Sequence, residues 1–266
     1  HRHIMFGHAF KGQHSGAGLL RRFKAGGGKL YDLEYLVDES GRRVAAFGYW
    51  AGYAGAMVAM HCWIAQQNGG LCGPIGASAD RAAALADLGA ALNGCAEPTP
   101  SAIVIGALGR VGTGAADLCA ELGLKVTKWD MAETASGGPF GEILQHDLFF
   151  NCILARPGTP VFVPAKAVSM PRNLRVIGDI ACDPDSDYNP IPVYSTATDW
   201  AAPALRVADT PVLDVMAIDN LPSLLPRESS EDFAAQLLPT LRNLDTLDHG
   251  VWRRAQMVFE QHVAEV

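Results

Sequence analysis

The chain lacks the positive charge that a polyanion partner would need. Only 21 Lys and Arg stand against 28 Asp and Glu, a formal net charge of −7 over 266 residues. A protein that neutralises many phosphates carries the opposite balance, so nucleic acid is not an expected partner. The six cysteines are scattered at positions 62, 72, 95, 119, 152 and 182, with no Cys-x-x-Cys pair and no His/Cys cluster at zinc-finger spacing. No metal is expected, and the thiols read mostly as buried groups of a reducing compartment. Also missing is an unbroken apolar run. The longest, residues 44–65, is interrupted by glycines and carries Tyr, Trp and His. No basic-then-apolar leader with a small-residue cleavage site opens the chain, and the expectation is a cytoplasmic protein without a membrane span. There is no internal repeat, no low-complexity tract and no initiator Met. The chain begins His1-Arg2-His3-Ile4-Met5-Phe6 and runs at once into a strand-like stretch, as expected of a piece cut from something longer.

What is present is core material. The residues are 49% apolar, 18% charged and 8% aromatic, and 28 Gly with 16 Pro imply many turns between short elements. This is a globular composition, with a length that suits one large domain or two smaller ones. The first 47 residues predict a strand at the start, a helix over 16–24 and a strand-turn-strand pattern over 30–36 and 43–47. The turn between those strands, Asp38-Glu39-Ser40-Gly41, has hairpin chemistry. Residues 56–67 read as a helix whose small side chains let a neighbour approach, 68–79 as a loop, and 80–92 as an alanine-rich helix. Strands are expected again over 148–154, 174–180 and 212–218. Helices are expected over 231–238, with Ser229 and Ser230 available as caps, and over 251–262.

The most informative unit follows the breaker Glu97-Pro98-Thr99-Pro100. Ser101-Ala102-Ile103-Val104-Ile105 is short, largely apolar and partly β-branched, as a strand buried on both faces should be. Gly106-Ala107-Leu108-Gly109-Arg110-Val111-Gly112 comes next, then a helix over 113–122 closed by Gly123, then a strand over 125–129 ending in Asp130. This is the order and length of a mononucleotide-binding half. Gly106 allows the tight turn, Gly109 lets backbone approach a pyrophosphate, and Gly112 lets the helix pack near the strand. The helix N-terminus then offers unpaired N–H groups to the phosphates. Asp130 can accept from both hydroxyls of an adenosine ribose and would repel a 2′-phosphate, so NAD is expected rather than NADP.

Among the eight histidines, His8 is the leading acid/base candidate. Imidazole titrates near neutrality and can shuttle the proton that accompanies oxidation at a carbon–nitrogen bond. His8 stands at a strand-to-loop boundary, with Lys11 and Gln13 close by in sequence.

Five stretches together resemble the NAD-dependent, L-lysine-forming saccharopine dehydrogenases, within the wider alanine dehydrogenase-like group. They are His8-Ala9-Phe10-Lys11-Gly12-Gln13; Leu30-Tyr31-Asp32-Leu33-Glu34-Tyr35-Leu36 with Gly41-Arg42-Arg43-Val44-Ala45-Ala46-Phe47-Gly48; residues 106–114; Lys128-Trp129-Asp130 with Glu133-Thr134 and Gly137-Gly138-Pro139-Phe140; and Ile218-Asp219-Asn220-Leu221-Pro222-Ser223-Leu224-Leu225-Pro226-Arg227-Glu228. The resemblance implies two Rossmann-like α/β lobes with parallel sheets and the active site in the cleft between them. The NAD lobe would be 48–218, and the substrate lobe would combine 1–47 with 219–266. His8 would be the catalytic acid/base. Cofactor contacts would fall on Arg42, Gly109, Arg110, Asp130, Thr134, Leu154, Ile180, Ile218, Asp219, Asn220 and Leu221. Gln13 and Phe47 would meet saccharopine, with Ala181, Cys182 and Asp183 beside it. The implied reaction is oxidation of saccharopine to an imine, then hydrolysis to L-lysine and 2-oxoglutarate.

The chain also departs from that family. The family's catalytic lysine and a carboxylate-binding arginine lie upstream of the position of His8, so the resemblance implies a fragment lacking half of the acid/base pair. Val111 replaces a family cysteine, which removes a disulfide with Cys152. Leu154 replaces an aromatic residue and Asn220 a histidine. Two other readings use the same residues: another amino-acid oxidoreductase of the group, such as a lysine-2-oxoglutarate reductase, or an NAD-binding fragment without turnover.

Overall fold

The computed structural model describes residues 1–11 and 15–266. In chain order its strands are β1 (Arg2–Met5), β2 (Lys29–Asp32), β3 (Ser101–Ile105), β4 (Lys125–Trp129), β5 (Leu148–Asn151), β6 (Val176–Asp179), β7 (Leu205–Asp209) and β8 (Val212–Met216). Its helices are α1 (Gly16–Gly26), α2 (Gly48–Gln67), α3 (Arg81–Asn93), α4 (Arg110–Glu121), α5 (Met131–Thr134), α6 (Pro226–Leu241) and α7 (Gly250–Ala264). Among the described residues, no helix is long and apolar enough to cross a membrane.

The chain divides into two compact units, His1–Ala46 with Ser230–Val266, and Phe47–Ser229. Residues 219–229, expected with the first lobe, therefore pack in the second. Leu221, Leu224 and Leu225 enter its core, the Leu224 carbonyl accepts from Ser78 N–H at 2.9 Å, and Glu228 accepts from Arg81 N–H at 2.7 Å. Phe47 also belongs to the second unit.

In the first unit β1 and β2 pair in parallel, Arg2 opposite Lys29 through Met5 opposite Asp32. Leu20 and Phe23 of α1 meet Leu30 and Phe259 in one apolar cluster. Tyr31 packs edge-on against Trp252, and its hydroxyl donates to Gln256 at 3.2 Å. The expected strand over 43–47 does not form. Asp38 caps a tight turn through the N–H groups of Ser40 and Arg42, each at 2.9 Å, and Val37 and Arg43 share only an isolated bridge.

The second unit carries a six-stranded sheet in the order β4-β3-β5-β6-β8-β7, parallel except for the β7 edge. Side-chain alternation explains why its strands read as continuous apolar runs. Ala102 and Val104 of β3 join one core cluster, Ile103 and Ile105 the other, and Phe150 and Phe149 divide the same way. Apolar layers cover both faces, as a parallel sheet requires.

Helix α2 is apolar on almost every side and buried against α4. A Cβ on Gly52 would stand 1.8 Å from the Val111 carbonyl oxygen, so only glycine permits that approach. The helix begins at Gly48, earlier than expected, and along its first turns Tyr49 meets Trp50 edge-on while Trp50 tilts against Tyr53. α3 is capped by Asp80, whose carboxylate accepts from Ala83 N–H at 2.8 Å. α6 begins at Pro226 rather than after the expected serine caps, since proline suits the first helical position.

At the sheet edge, the wholly buried Asp214 is held by Arg206 and by Gln66, whose amide donates to it at 2.7 Å. Removing the cation would leave a buried carboxylate short of its partner. Arg206→Met is expected to lower stability by about 2 kcal/mol, measured as a shift in the urea midpoint at unchanged slope.

Candidate active site

The first strand of the sheet, β3, lies in its interior. The chain moves from β3 outward to β4, then returns past β3 to β5, so the strand order reverses between β3 and β5. Ligands of open α/β sheets bind at the carboxyl ends of the strands beside such a reversal. A cavity of about 640 Å³ lies there. Gly106, Leu108 and Gly109 wall it after β3, Asp130, Met131 and Thr134 after β4, and Cys152, Ile153 and Leu154 after β5, with Arg156 and Pro157 beyond.

The turn into α4 depends on two glycines. Gly106 has φ +87°, a left-handed backbone that side chains resist, and a Cβ on Gly112 would stand 2.1 Å from the Gly106 carbonyl oxygen. Gly109, exposed at the N-cap of α4, has no atom closer than 3.4 Å to such a Cβ. Backbone N–H groups at the start of α4 therefore present a positive helix end beside open space.

Asp130 is fixed across the cavity. Its two carboxylate oxygens accept from Met131 N–H and Leu108 N–H, both at 2.9 Å, while its own N–H donates to Glu133 at 2.7 Å. A carboxylate offers about four acceptor sites, and with the Glu133 N–H of the capping box also on it, room remains for a further hydroxyl donor. Leu108, Met131 and Leu154 are the most exposed large apolar side chains of the chain, at 82%, 82% and 71%, and all three line this cavity. Leu108 and Met131 were not singled out in the sequence. The signal that could have found them is a large apolar residue inside a glycine turn and directly after a strand.

The remaining expected cofactor residues of this unit lie at the ends of β6 and β8. Ile180, Ile218 and Leu221 are core residues, and Ile180 and Leu221 both press on Gly55. Their side chains face inward, so a ligand would meet their backbone. Asp219 and Asn220 are exposed, and Asn220 accepts from the Ser223 hydroxyl at 2.8 Å. Arg110 is the first residue of α4.

Ala181, Cys182 and Asp183 follow β6, and Cys182 has φ +49°. A buried network missed in the sequence holds this turn. The Asp179 carboxylate accepts from the Tyr194 hydroxyl at 2.6 Å, Asn151 at 2.9 Å and Cys182 N–H at 3.4 Å. Burial pushes the Asp179 carboxyl upward, against those hydrogen bonds. Burial, reinforced by Asp179, pushes the Cys182 thiol to about 12. Its S–H donates to the Ala217 carbonyl at 3.1 Å, tying the end of β6 to the end of β8.

His8 and Arg42 belong to the first unit, and Gln13 lies outside the described residues. His8 is exposed and stacks on Phe6, with ring centroids 6.0 Å apart. Its φ of +47° is a left-handed conformation, uncommon outside glycine and a pointer to function when a side chain must be presented. The preceding residue is held by a wholly buried carboxylate. Asp32 accepts from Gly7 N–H at 3.1 Å and from Glu34 N–H at 3.0 Å. Burial raises Asp32, while those N–H groups and nearby His8 oppose the rise. Arg42 is exposed in the Asp38 turn.

No protein-family model matches the chain. A saccharopine dehydrogenase (NAD(+), L-lysine-forming) of Neurospora crassa is 44% identical, over 99% of this chain and 74% of that protein. The enzyme of the same name from Yarrowia lipolytica is 43% identical, over 100% of this chain and 76% of its own. Among solved structures, an L-alanine dehydrogenase superposes with a TM-score of 0.61 at 17% identity, covering 98% of this chain and 75% of that one. That likeness carries the two-domain α/β fold, and the sequence relatives carry the family. The chain belongs to the NAD-dependent, L-lysine-forming saccharopine dehydrogenases.

Proposed function

We propose that the chain is the NAD-binding and acid/base-bearing part of an oxidoreductase of lysine biosynthesis that cleaves saccharopine to L-lysine and 2-oxoglutarate. The observation that carries this reading is the cavity at the strand reversal, with the glycine turn on one side and the anchored Asp130 carboxylate on the other, in a chain of this family. The residues fit a dinucleotide. The α4 N-terminus and Gly109 receive the pyrophosphate, Asp130 takes the adenosine ribose hydroxyls, and Leu108, Met131 and Leu154 cover the adenine. Thr134, Arg110 and Arg42, with the segments at Ile180 and at Ile218 to Leu221, complete the cofactor contacts. When bound, NAD supplies the oxidant for the secondary amine.

His8 carries the proton chemistry. Its imidazole takes the proton from the substrate amine as the carbon–nitrogen bond is oxidised, passes that proton to solvent, and then accepts a proton from the water that attacks the resulting imine. Asp32 acts through the backbone, fixing Gly7 so that His8 keeps its exposed position. Gln13, Phe47 and the 181–183 turn contact saccharopine. The six free thiols suit a cytoplasmic, reducing location.

The test is NADH oxidation by the full-length gene product with lysine plus 2-oxoglutarate, run beside NADPH and beside pyruvate plus ammonia. Lysine-dependent turnover with NADH is the expected result. Turnover only with pyruvate, or only with NADPH, would sink the substrate or cofactor assignment respectively. The cofactor arm has its own variant. Asp130→Asn removes the charge that repels a 2′-phosphate and one acceptor for the ribose, so NADH should bind roughly tenfold more weakly. NADPH should gain relative to NADH, both read by fluorescence titration.

A further inference from the structure

The loop that follows β5 is held at both ends. At its start the Cys152 N–H donates to the Ile105 carbonyl at 2.9 Å, and at its end the Phe162 N–H donates to the Pro190 carbonyl at 2.8 Å. Between them the Arg156 N–H donates to the Thr159 hydroxyl and the Thr159 N–H to the Arg156 carbonyl, each at 2.9 Å. Gly158, with φ +89°, lies inside that turn, where a left-handed backbone favours glycine. One wall of the cavity between Gly106 and Asp130 is therefore a fixed loop, and it carries a charge.

That charge is Arg156. Among the described residues that line the cavity, Arg156 is the one cation and Asp130 the one anion. Arg156 is exposed, and its guanidinium makes no hydrogen bond or ion pair with another described residue. It is not the partner of Asp130, which is held by backbone N–H groups instead. The two charges flank the glycine turn from opposite strands. Asp130 follows β4 and Arg156 follows β5, with β3 between them in the sheet.

A dinucleotide laid across this turn brings two phosphate charges. The α4 N-terminus offsets about half of one, and Asp130 adds a negative charge beside the ribose. The balance calls for a cation, and a guanidinium can meet a phosphate with two parallel N–H donors. A ribose 2′-phosphate would stand on the β4 flank with Asp130, whereas the pyrophosphate crosses the strand reversal toward β5. We infer that Arg156 binds the pyrophosphate of the dinucleotide and does not take part in the choice between NAD and NADP, an assignment that rests on the cavity being the NAD site.

The test is fluorescence titration of NADH, with displacement by ADP and by adenosine, on the full-length gene product and on its Arg156→Gln and Arg156→Lys variants. Arg156→Gln should bind NADH and ADP roughly tenfold more weakly, yet bind adenosine as the parent does and keep the parent's thermal midpoint. Arg156→Lys should recover part of the loss, since it restores the charge without the planar fork. Asp130→Asn introduced into both backgrounds should raise NADPH relative to NADH by the same factor in each. Unchanged NADH affinity in Arg156→Gln, or a loss shared equally by ADP and adenosine, would overturn the assignment. So would a gain for NADPH that disappears when Arg156 is replaced, because Arg156 would then be reading the 2′-phosphate. A parent that binds neither NADH nor ADP would instead sink the cofactor reading itself.

Discussion

His8→Asn should lower kcat for lysine-dependent NADH oxidation by about 10²–10⁴-fold while leaving the thermal midpoint and NADH affinity close to the parent values. Asparagine is the informative replacement because it tolerates the left-handed backbone that His8 adopts, at φ +47°. The variant therefore removes a proton carrier without relocating the loop. Gly7 would still donate to the buried Asp32 carboxylate, so the local fold is retained. Steady-state kinetics of the full-length gene product, with calorimetry as the control, distinguish the outcomes. A kcat within a few-fold of the parent would remove His8 from the chemistry, whereas a collapsed midpoint would make its role one of folding.

Gly112→Ala should cost about 3 kcal/mol of stability and weaken NADH binding roughly a hundredfold. The added Cβ would meet the Gly106 carbonyl oxygen at 2.1 Å, the Ala107 Cα at 2.6 Å and the Gly106 carbonyl carbon at 2.7 Å. All three are backbone or Cα atoms, so no rotamer change relieves the overlap and α4 must withdraw from the end of β3. That movement opens the turn on which phosphate recognition depends. Gly109→Ala supplies the contrast, because its nearest neighbour lies at 3.4 Å. It should fold as the parent does and still bind NADH less well, since the methyl projects at the helix end that receives the pyrophosphate. Urea unfolding and NADH fluorescence on both variants separate structural from ligand effects. Parent-like stability in Gly112→Ala would mean that the helix–strand approach is looser than the structure has it.

The unit from β3 to Asp130 was legible because local signals and tertiary demands agree there. An apolar strand, a glycine turn, a helix and a strand ending in an acid each have short-range signatures, and the sheet order follows from them. Asp80 was likewise readable as lying at a helix start, and the structure makes it the cap. Elsewhere the determinants are long-range. β7, Leu-Arg-Val-Ala-Asp, has one exposed apolar residue and two charges, and becomes a strand because β8 offers it an edge. The 43–47 stretch looks like a strand but finds no partner, since the Asp38 turn leaves only a single bridge. In the site, Asp130 and the glycines could be read from spacing. The Asp179, Tyr194 and Asn151 network could not, because its members are joined only by the convergence of β5, β6 and the loop beyond.

The discontinuity of the first unit imposes an order on biosynthesis. Its parallel pair β1 and β2 gains its cover from α7, and the Tyr31–Gln256 hydrogen bond spans 225 positions. A ribosome delivers Phe10, Leu20 and Leu30 early, and the helix that shields them only after the whole of Phe47–Ser229 has been made. The second unit, continuous in sequence, can complete its sheet in the meantime. Until α7 is made, the nascent chain thus carries these apolar side chains without that cover, which makes the segment a natural client of a chaperone while Phe47–Ser229 is being synthesised.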